Sequence, residues 1–246
     1  MIVALYHKIF KFSSSYMSEN VRFFAENVLI LNDFRIDVLS NVWYFTMDKA
    51  SESDLKMRMR KKPNLQPRME KCAAVQIAEP AALRGKWRES FPGKSLWLEI
   101  GCGKGQFTVG TAKENPEAEL IALERVEDAM VIAMERACAE ETDNVRFISM
   151  DALKLREVFA PGEVERVFVN FCDPWPKSRD AKHRLTSPNF LRIYADILPM
   201  GGEVCFKTDN LPLFTWSLEQ IKAEGWEVHS VTNDLSLIHI SEPTRP

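Results

Sequence analysis

A regular alternation of short apolar runs and helix-like stretches, beginning near residue 94, is the feature that most restricts the fold of this chain. The apolar runs are SLWLEI (95–100), LIALE (120–124), VRFISM (145–150), RVFVNF (166–171), EVCFKT (203–208) and WEVHSVTNDL (226–235). Stretches between them have helical spacing, for example Met130, Ile132, Ala133 and Ala137. Apolar strands that alternate with helices predict a doubly wound parallel α/β sheet with helices on both faces. Ligands of such sheets bind at the carboxyl ends of the strands.

Charge and cysteine content exclude several classes of protein. The net charge of −3 excludes a generally basic nucleic-acid coat, so a polyanion would have to bind local patches. Two such patches exist, in MRMRKKP (57–63) and KSRDAKHR (177–184). The 5 cysteines are odd in number and none forms a C-x-x-C pair, which predicts a reducing cytoplasm and no structural metal. We find neither a membrane-spanning apolar run nor a clean signal peptide, and expect no membrane association.

The chain divides into four parts by composition. Residues 1–56 have no Gly or Pro and no sustained periodicity, and we predict a non-native or disordered extension; a genuine helical extension is the alternative. Residues 57–93 form a basic arm and lead-in, and 94–235 form the α/β domain. Residues 236–246 resemble translated adapter sequence, so we expect an artefactual tail; the alternative is an ordinary disordered C-terminus.

A glycine-rich loop follows the first predicted strand. In LEIGCGKGQF (98–107), Gly101, Gly103 and Gly105 allow a sharp turn and close approach to a ligand. Dinucleotide sites prefer the longer G-x-G-x-x-G spacing, in which a helix N-terminus meets a pyrophosphate. Glu99 would repel phosphate but suits a cation. The loop therefore favours S-adenosylmethionine, which has an ammonium and a sulfonium, over a nicotinamide dinucleotide.

Two more acids end the next strands. Glu124 lies about twenty residues after the glycines, the spacing at which an acid accepts hydrogen bonds from ribose hydroxyls. Pairing with Arg125 or Lys113 is its alternative. Asp151 either accepts from an adenine amine or caps the helix that begins after it. Together with Glu99, these acids outline a nucleoside with an amino-acid tail.

The segment NFCDPWPKSRDAKHRLT (170–186) follows the fourth strand of the domain. Asp173 lies at the strand end, and the flanking prolines stiffen the turn. Trp175 offers a face for stacking a base, or it plugs the core. Cys172 has no evident His or metal partner, which indicates a small core residue rather than a nucleophile.

From about residue 57 to residue 235, the chain resembles the bacterial tRNA (guanine-N7)-methyltransferase family. Four segments carry the resemblance, in this order: MRMRKKP, LEIGCGKGQF, NFCDPWPKSRDAKHRLT and FKTDN. The resemblance implies a Rossmann-like class I S-adenosylmethionine-dependent fold and a variable-loop guanosine of tRNA as substrate. It implies cofactor binding by Glu99, Glu124, Asp151 and Asp173, with Asp173 also catalytic. It implies that Lys177 and Asp209 contact the substrate. It also implies that the run 179–184 contacts the RNA, through Arg179, Lys182, His183 and Arg184.

We expect two features of the family to be missing here. The T-E-x-E-type substrate segment near the C-terminus is absent, and we expect the last strand of the sheet to be lost as well. Asp209 also has an alternative as a helix cap or turn residue.

Three other functions compete with this one. They are an amino-methyltransferase of adenine or cytosine, a non-catalytic RNA-binding remnant and, least favoured, a nicotinamide-dependent oxidoreductase. The sequence leaves a monomer or a homodimer open.

Overall fold

The predicted alternation forms one sheet whose paired strands all run parallel. The structure, a computed structural model, describes residues 2–7 and 62–232. Its strands are β1 (Ile2–His7), β2 (Ser95–Ile100), β3 (Ala118–Glu124), β4 (Val145–Ser149), β5 (Arg166–Asn170), β6 (Glu203–Thr208) and β7 (Glu227–Thr232). They lie in the order β4-β3-β2-β5-β6-β1-β7. Chain order reverses beside β2, so the crevice that binds ligands in such folds opens between β2 and β5.

Helices cover both faces of the sheet, as the sequence predicts. They are α1 (Leu65–Lys71), α2 (Trp87–Ser90), α3 (Gln106–Glu114), α4 (Glu127–Ala139), α5 (Leu155–Val158), α6 (Pro188–Ile197) and α7 (Leu211–Ala223). Helices α1, α3 and α4 pack on one face against alternate strand residues such as Trp97 and Phe168. The other helices pack on the opposite face, against residues such as Leu98 and Val167. This doubly wound architecture confirms the predicted fold class.

Strand β1 occupies the position between β6 and β7, where Leu5 is in register with Phe206 on one side and Val231 on the other. It comes from the segment 1–56, the remainder of which lies outside the described residues, as does the tail 236–246. The predicted strand within 226–235 is present as β7. The expectation of a lost last strand concerns chain beyond residue 232, where nothing is described.

The lead-in 62–93 contains helices that periodicity did not predict. Arg68 on α1 forms two hydrogen bonds of 2.7 Å to the Glu135 carboxylate on α4. The Lys62 amide donates to the Asp128 carboxylate at the start of the same helix. Trp87 on α2 is fully buried. The lead-in is therefore part of the domain's packing, and it brings the end of the 57–63 basic cluster to the N-terminus of α4.

Candidate nucleotide and methyl-donor site

The glycine loop adopts the backbone conformation that the sequence predicts. Gly101, Gly103 and Gly105 all have positive φ, a region that side chains disfavour. At Gly105, which begins α3, an added Cβ would lie 2.6 Å from the Cβ of Ala133 on α4. Gly105 therefore permits two helices to approach closely, whereas Gly101 and Gly103 leave open space beside the loop.

Glu99 is a buried carboxylate on β2, on the sheet face covered by α3. It is 2% exposed, and it accepts hydrogen bonds from the Thr108 hydroxyl at 2.5 Å and the Asn170 amide at 3.2 Å. Burial raises the pKa of Glu99 from 4.5 to about 7, although both hydrogen bonds and the charge of Lys207 lower it. A cationic ligand bound beside this carboxylate would stabilise its ionised form.

Two features beside Glu99 were missed by sequence reasoning. The Oδ1 atom of Asn170 on β5 is buried and accepts no hydrogen bond within the described part of the chain. Lys207 on β6 is 7% exposed, burial lowers its pKa, and its Nζ lies 5.4 Å from the centroid of Phe107. In the sequence, both residues lie near the ends of predicted strands and nothing else distinguishes them. Strand pairing brings them to the crevice.

Glu124 braces the glycine loop from the end of β3. Its two carboxylate oxygens accept hydrogen bonds from the backbone amides of Gly103 at 3.0 Å and Val126 at 2.9 Å. The alternative pairings with Arg125 and Lys113 are wrong, because Lys113 pairs with Glu140 and Arg125 lies 4.0 Å from Asp151. A carboxylate oxygen has a second lone pair, so Glu124 can still accept from a ribose hydroxyl.

Asp151 caps the short 3₁₀ turn at 152–154 after β4. Its Oδ1 accepts from the Leu153 amide at 2.9 Å. The capping alternative is therefore confirmed, and Oδ2 faces Arg125 at 4.0 Å. In the strand order β4-β3-β2-β5, the ends that carry Asp151, Glu124, Glu99 and Asp173 are successive neighbours. All four acids thus lie at or just after the carboxyl ends of neighbouring strands.

The turn that carries Asp173 has unusual backbone geometry. Phe171 and Trp175 both have positive φ, of 50° and 43°, although neither is glycine. The Phe171 amide donates to the Lys207 carbonyl at 2.8 Å, while its side chain is 57% exposed. The Trp175 ring packs on His183 with ring centroids 5.2 Å apart. Asp173 itself is exposed, and it follows β5, the strand that pairs with β2.

The cations after this turn fall into two groups. Lys177, Arg179 and Lys182 are exposed, and His183 is exposed beside Trp175. Arg184 is half-buried and turned inward: it donates to the carbonyls of Pro174 and Trp175 and stacks on Trp216. The predicted RNA-contacting run is therefore not uniform.

Asp209 follows β6 and is exposed at the same edge of the sheet. Its alternative as a helix cap is wrong, because Asn210 performs that function by accepting from the Leu213 amide at 2.8 Å.

Cys172 packs against the core, and burial raises the pKa of its thiol to about 12, so it is mostly protonated at neutral pH. The described residues contain no His, Cys, Asp and Glu cluster suited to a metal. In the same ranges, no helix is long and apolar enough to cross a membrane.

Comparison with known proteins agrees with this geometry. Residues 93–244 match a family model described as "Putative methyltransferase". A tRNA (guanine-N(7)-)-methyltransferase of Listeria innocua is 45% identical over 163 residues, covering 66% of this chain and 76% of the relative. Relatives with the same name from Exiguobacterium sibiricum and Halalkalibacterium halodurans are each 43% identical, covering 76% and 73% of this chain and 87% and 82% of themselves. The chain therefore belongs to the bacterial tRNA (guanine-N7)-methyltransferase family.

Proposed function

We propose that this protein transfers a methyl group from S-adenosylmethionine to N7 of a guanosine in tRNA. The observation that carries the proposal is the set of acids at neighbouring strand ends, bordered by a turn with exposed cations. The named activity of its relatives supports the same reaction.

The residues of the crevice fit this cofactor. The buried Glu99 carboxylate and the orphaned Oδ1 of Asn170 are acceptors for the ammonium of its methionine part. Glu124 would hold the ribose hydroxyls, and Asp151 the adenine end. Gly101 and Gly103 leave room for a ligand against the backbone. An acidic crevice disfavours a pyrophosphate, so it supports the methyl donor over a dinucleotide.

S-adenosylmethionine supplies a methyl group on a sulfonium, an electrophile that the in-plane lone pair of guanine N7 attacks without loss of a proton. The protein's task is therefore to align the two and to exclude water. Glu99 and Asn170 fix one end of the donor in the crevice. Asp173 lies exposed beside it, and there its carboxylate would stabilise the positive charge that develops on the purine or hold the guanine N1 and amino edge.

The exposed cations would bind the tRNA backbone. Lys177, Arg179 and Lys182 directly follow the turn that carries Asp173, so phosphates held by them lie next to the crevice. Such contacts position a nucleic acid without reading its sequence. Selection would rest on the shape of the tRNA and on the accessibility of one guanosine. Asp209, exposed at the same edge, is a further candidate for substrate contact.

The test is methylation of unmodified tRNA with a labelled methyl donor, followed by digestion to nucleosides. The proposal predicts 7-methylguanosine as the product, and Asp173→Ala should lower turnover while the protein remains folded. Methyl groups on adenine or cytosine amines would show the amino-methyltransferase alternative instead. Binding of S-adenosylhomocysteine, measured by calorimetry, separates both from an RNA-binding remnant, which would have no saturable cofactor site.

We also propose that the protein acts in the reducing cytoplasm. All 5 cysteines are free thiols in the structure, including Cys138, which is exposed. Labelling the cysteines in freshly lysed cells tests this, because a disulfide would protect a pair of them.

A further inference from the structure

The turn between β5 and the 3₁₀ segment at 178–183 needs an external constraint. Phe171 and Trp175 have left-handed backbone conformations, with φ of 50° and 43°, which are strained for residues that carry a Cβ. Strain of this kind persists only where surrounding contacts determine the conformation. The start of the turn is held by the hydrogen bond from the Phe171 amide to Lys207. The other end, beyond Asp173, requires its own anchor.

Arg184 is that anchor. Its Nε donates to the Pro174 carbonyl at 3.1 Å, and its Nη2 donates to the Trp175 carbonyl at 2.9 Å. The guanidinium also lies 4.3 Å from the ring centroid of Trp216 on α7. Hydrogen bonds from a charged donor are about twice as strong as neutral ones, and the stacked face adds to them. Two carbonyls that directly follow Asp173 are thereby tied to a helix of the core.

This geometry is specific to arginine. The planar fork bonds two neighbouring carbonyls while its face stacks on an indole, which the single ammonium of a lysine does not reproduce. A phosphate contact makes a weaker demand, because lysine also binds phosphate as a point charge. Arg184→Lys therefore distinguishes the two roles.

We propose that Arg184 is a positioning residue, which fixes the turn carrying Asp173 in the conformation used for methyl transfer, rather than a phosphate ligand. The proposal rests on the proposed function for its kinetic consequence, but not for its structural one. Phosphate binding by this segment falls to the exposed cations Lys177, Arg179 and Lys182.

The kinetic experiment compares Arg184→Lys and Arg184→Gln with Lys182→Gln. Both Arg184 variants should lose about tenfold or more in kcat at saturating tRNA, because small displacements of positioned groups are costly. The slope of log KM against log salt should stay at the wild-type value for both. Lys182→Gln should instead raise KM and flatten that slope by about 0.7–0.9, the value for one lost phosphate contact. Near-normal kcat in Arg184→Lys, or a flattened slope in Arg184→Gln, would overturn the proposal.

A second measurement needs no methyl transfer. Hydrogen exchange of peptides covering residues 168–178 should accelerate in Arg184→Lys and remain unchanged in Lys182→Gln. Unchanged exchange in Arg184→Lys would overturn the anchor, whereas an inactive wild-type protein would refute only the proposed function. If the Arg184 variants fail to fold, Trp216→Leu and Trp216→Phe test the same anchor. Trp216→Leu should accelerate exchange in the turn and Trp216→Phe should keep most of the wild-type protection, whereas equal exchange in the two variants would count against the anchor.

Discussion

Replacing Glu99 by Gln should change how the affinity for the cofactor depends on pH. Glu99 is buried, and burial raises its pKa to about 7 in the ligand-free protein. The α-ammonium of S-adenosylhomocysteine binds the ionised carboxylate in preference to the neutral acid. The affinity of the wild-type protein should therefore rise with pH through about 7. The Glu99→Gln variant has no carboxylate to ionise at this position, so its affinity should stay constant over the same pH range.

The size of the effect follows from the pKa. With a value of about 7, Glu99 is roughly one-tenth ionised at pH 6 and nine-tenths ionised at pH 8. Wild-type affinity should rise about tenfold between these values, or ~1.4 kcal/mol. At pH 8, loss of a hydrogen bond between charged groups should weaken binding to Glu99→Gln by about 1.5–3 kcal/mol. At pH 6 the two proteins should differ much less.

Stability of the ligand-free protein should change with the opposite sign. Because the folded-state pKa of Glu99 is raised, its contribution to stability is present below its unfolded pKa of 4.5 and is lost as pH rises through about 7. Wild type should lose about 1.4 kcal/mol from this group between pH 6 and pH 8. Glu99→Gln should not.

Calorimetry with S-adenosylhomocysteine and urea unfolding, both at pH 6 and pH 8, measure the two effects. Glu119→Gln is a matched control. Glu119 is also buried, being 1% exposed, but it lies at the amino end of β3, away from the crevice, and pairs with Lys94 and Arg146. That variant should keep the wild-type pH profile of cofactor binding. A pH-independent affinity in wild type, or an unchanged profile in Glu99→Gln, would refute the role of Glu99.

Three further predictions concern the same region. Gly105→Ala should destabilise the protein by at least 1–3 kcal/mol in urea unfolding, because its Cβ would lie 2.6 Å from that of Ala133 at a positive φ; an unchanged midpoint would contradict this packing. Asn170→Ala should weaken S-adenosylhomocysteine binding about tenfold in calorimetry, because it removes the orphaned acceptor and a donor to Glu99; equal affinity would exclude the contact. Cys172→Ala should keep most of the wild-type turnover, because burial keeps its thiol protonated; a complete loss of turnover in a folded variant would reveal a chemical role.

The strands and the acids were predictable because they depend on short-range patterns. Apolar runs define strands buried on both faces, and parallel pairing brings every strand end to one edge. The sequence alone therefore groups Glu99, Glu124 and Asp173 at one end of the strands. The boundaries of β2 and β6 agree with the predicted runs.

The roles of Asn170, Lys207 and Arg184 were not predictable in this way. Asn170 and Lys207 matter because β5 lies between β2 and β6, a neighbourhood set by the whole sheet. Arg184 lies in a cationic run whose other members are exposed, and only tertiary packing on Trp216 turns it inward. Composition describes the charge of such a run, whereas the direction of each side chain depends on what it can contact.

The inward direction of Arg184 sets the number of cations that remain for RNA. Elsewhere, surface arginines are held by acids, as in the pairs Arg156–Asp196 and Arg192–Glu224. The segment 177–184 contains Asp180 as its single acid, and the long 3.9 Å contact with Asp180 leaves the Arg179 side chain 76% exposed. Lys177, Arg179 and Lys182 are thus the cations of this segment that can reach phosphates.

Three phosphate contacts would contribute about 2–3 to the slope of log Kd for tRNA against log salt. Replacing these three cations by Gln should therefore flatten the slope by that amount in filter-binding titrations, while S-adenosylhomocysteine affinity stays at the wild-type value. Arg156→Gln, which removes a cation already paired with Asp196, serves as the control and should leave the slope unchanged. A triple variant with the wild-type slope would mean that the tRNA backbone does not pass over this segment, and the placement of the guanosine at Asp173 would lose its support.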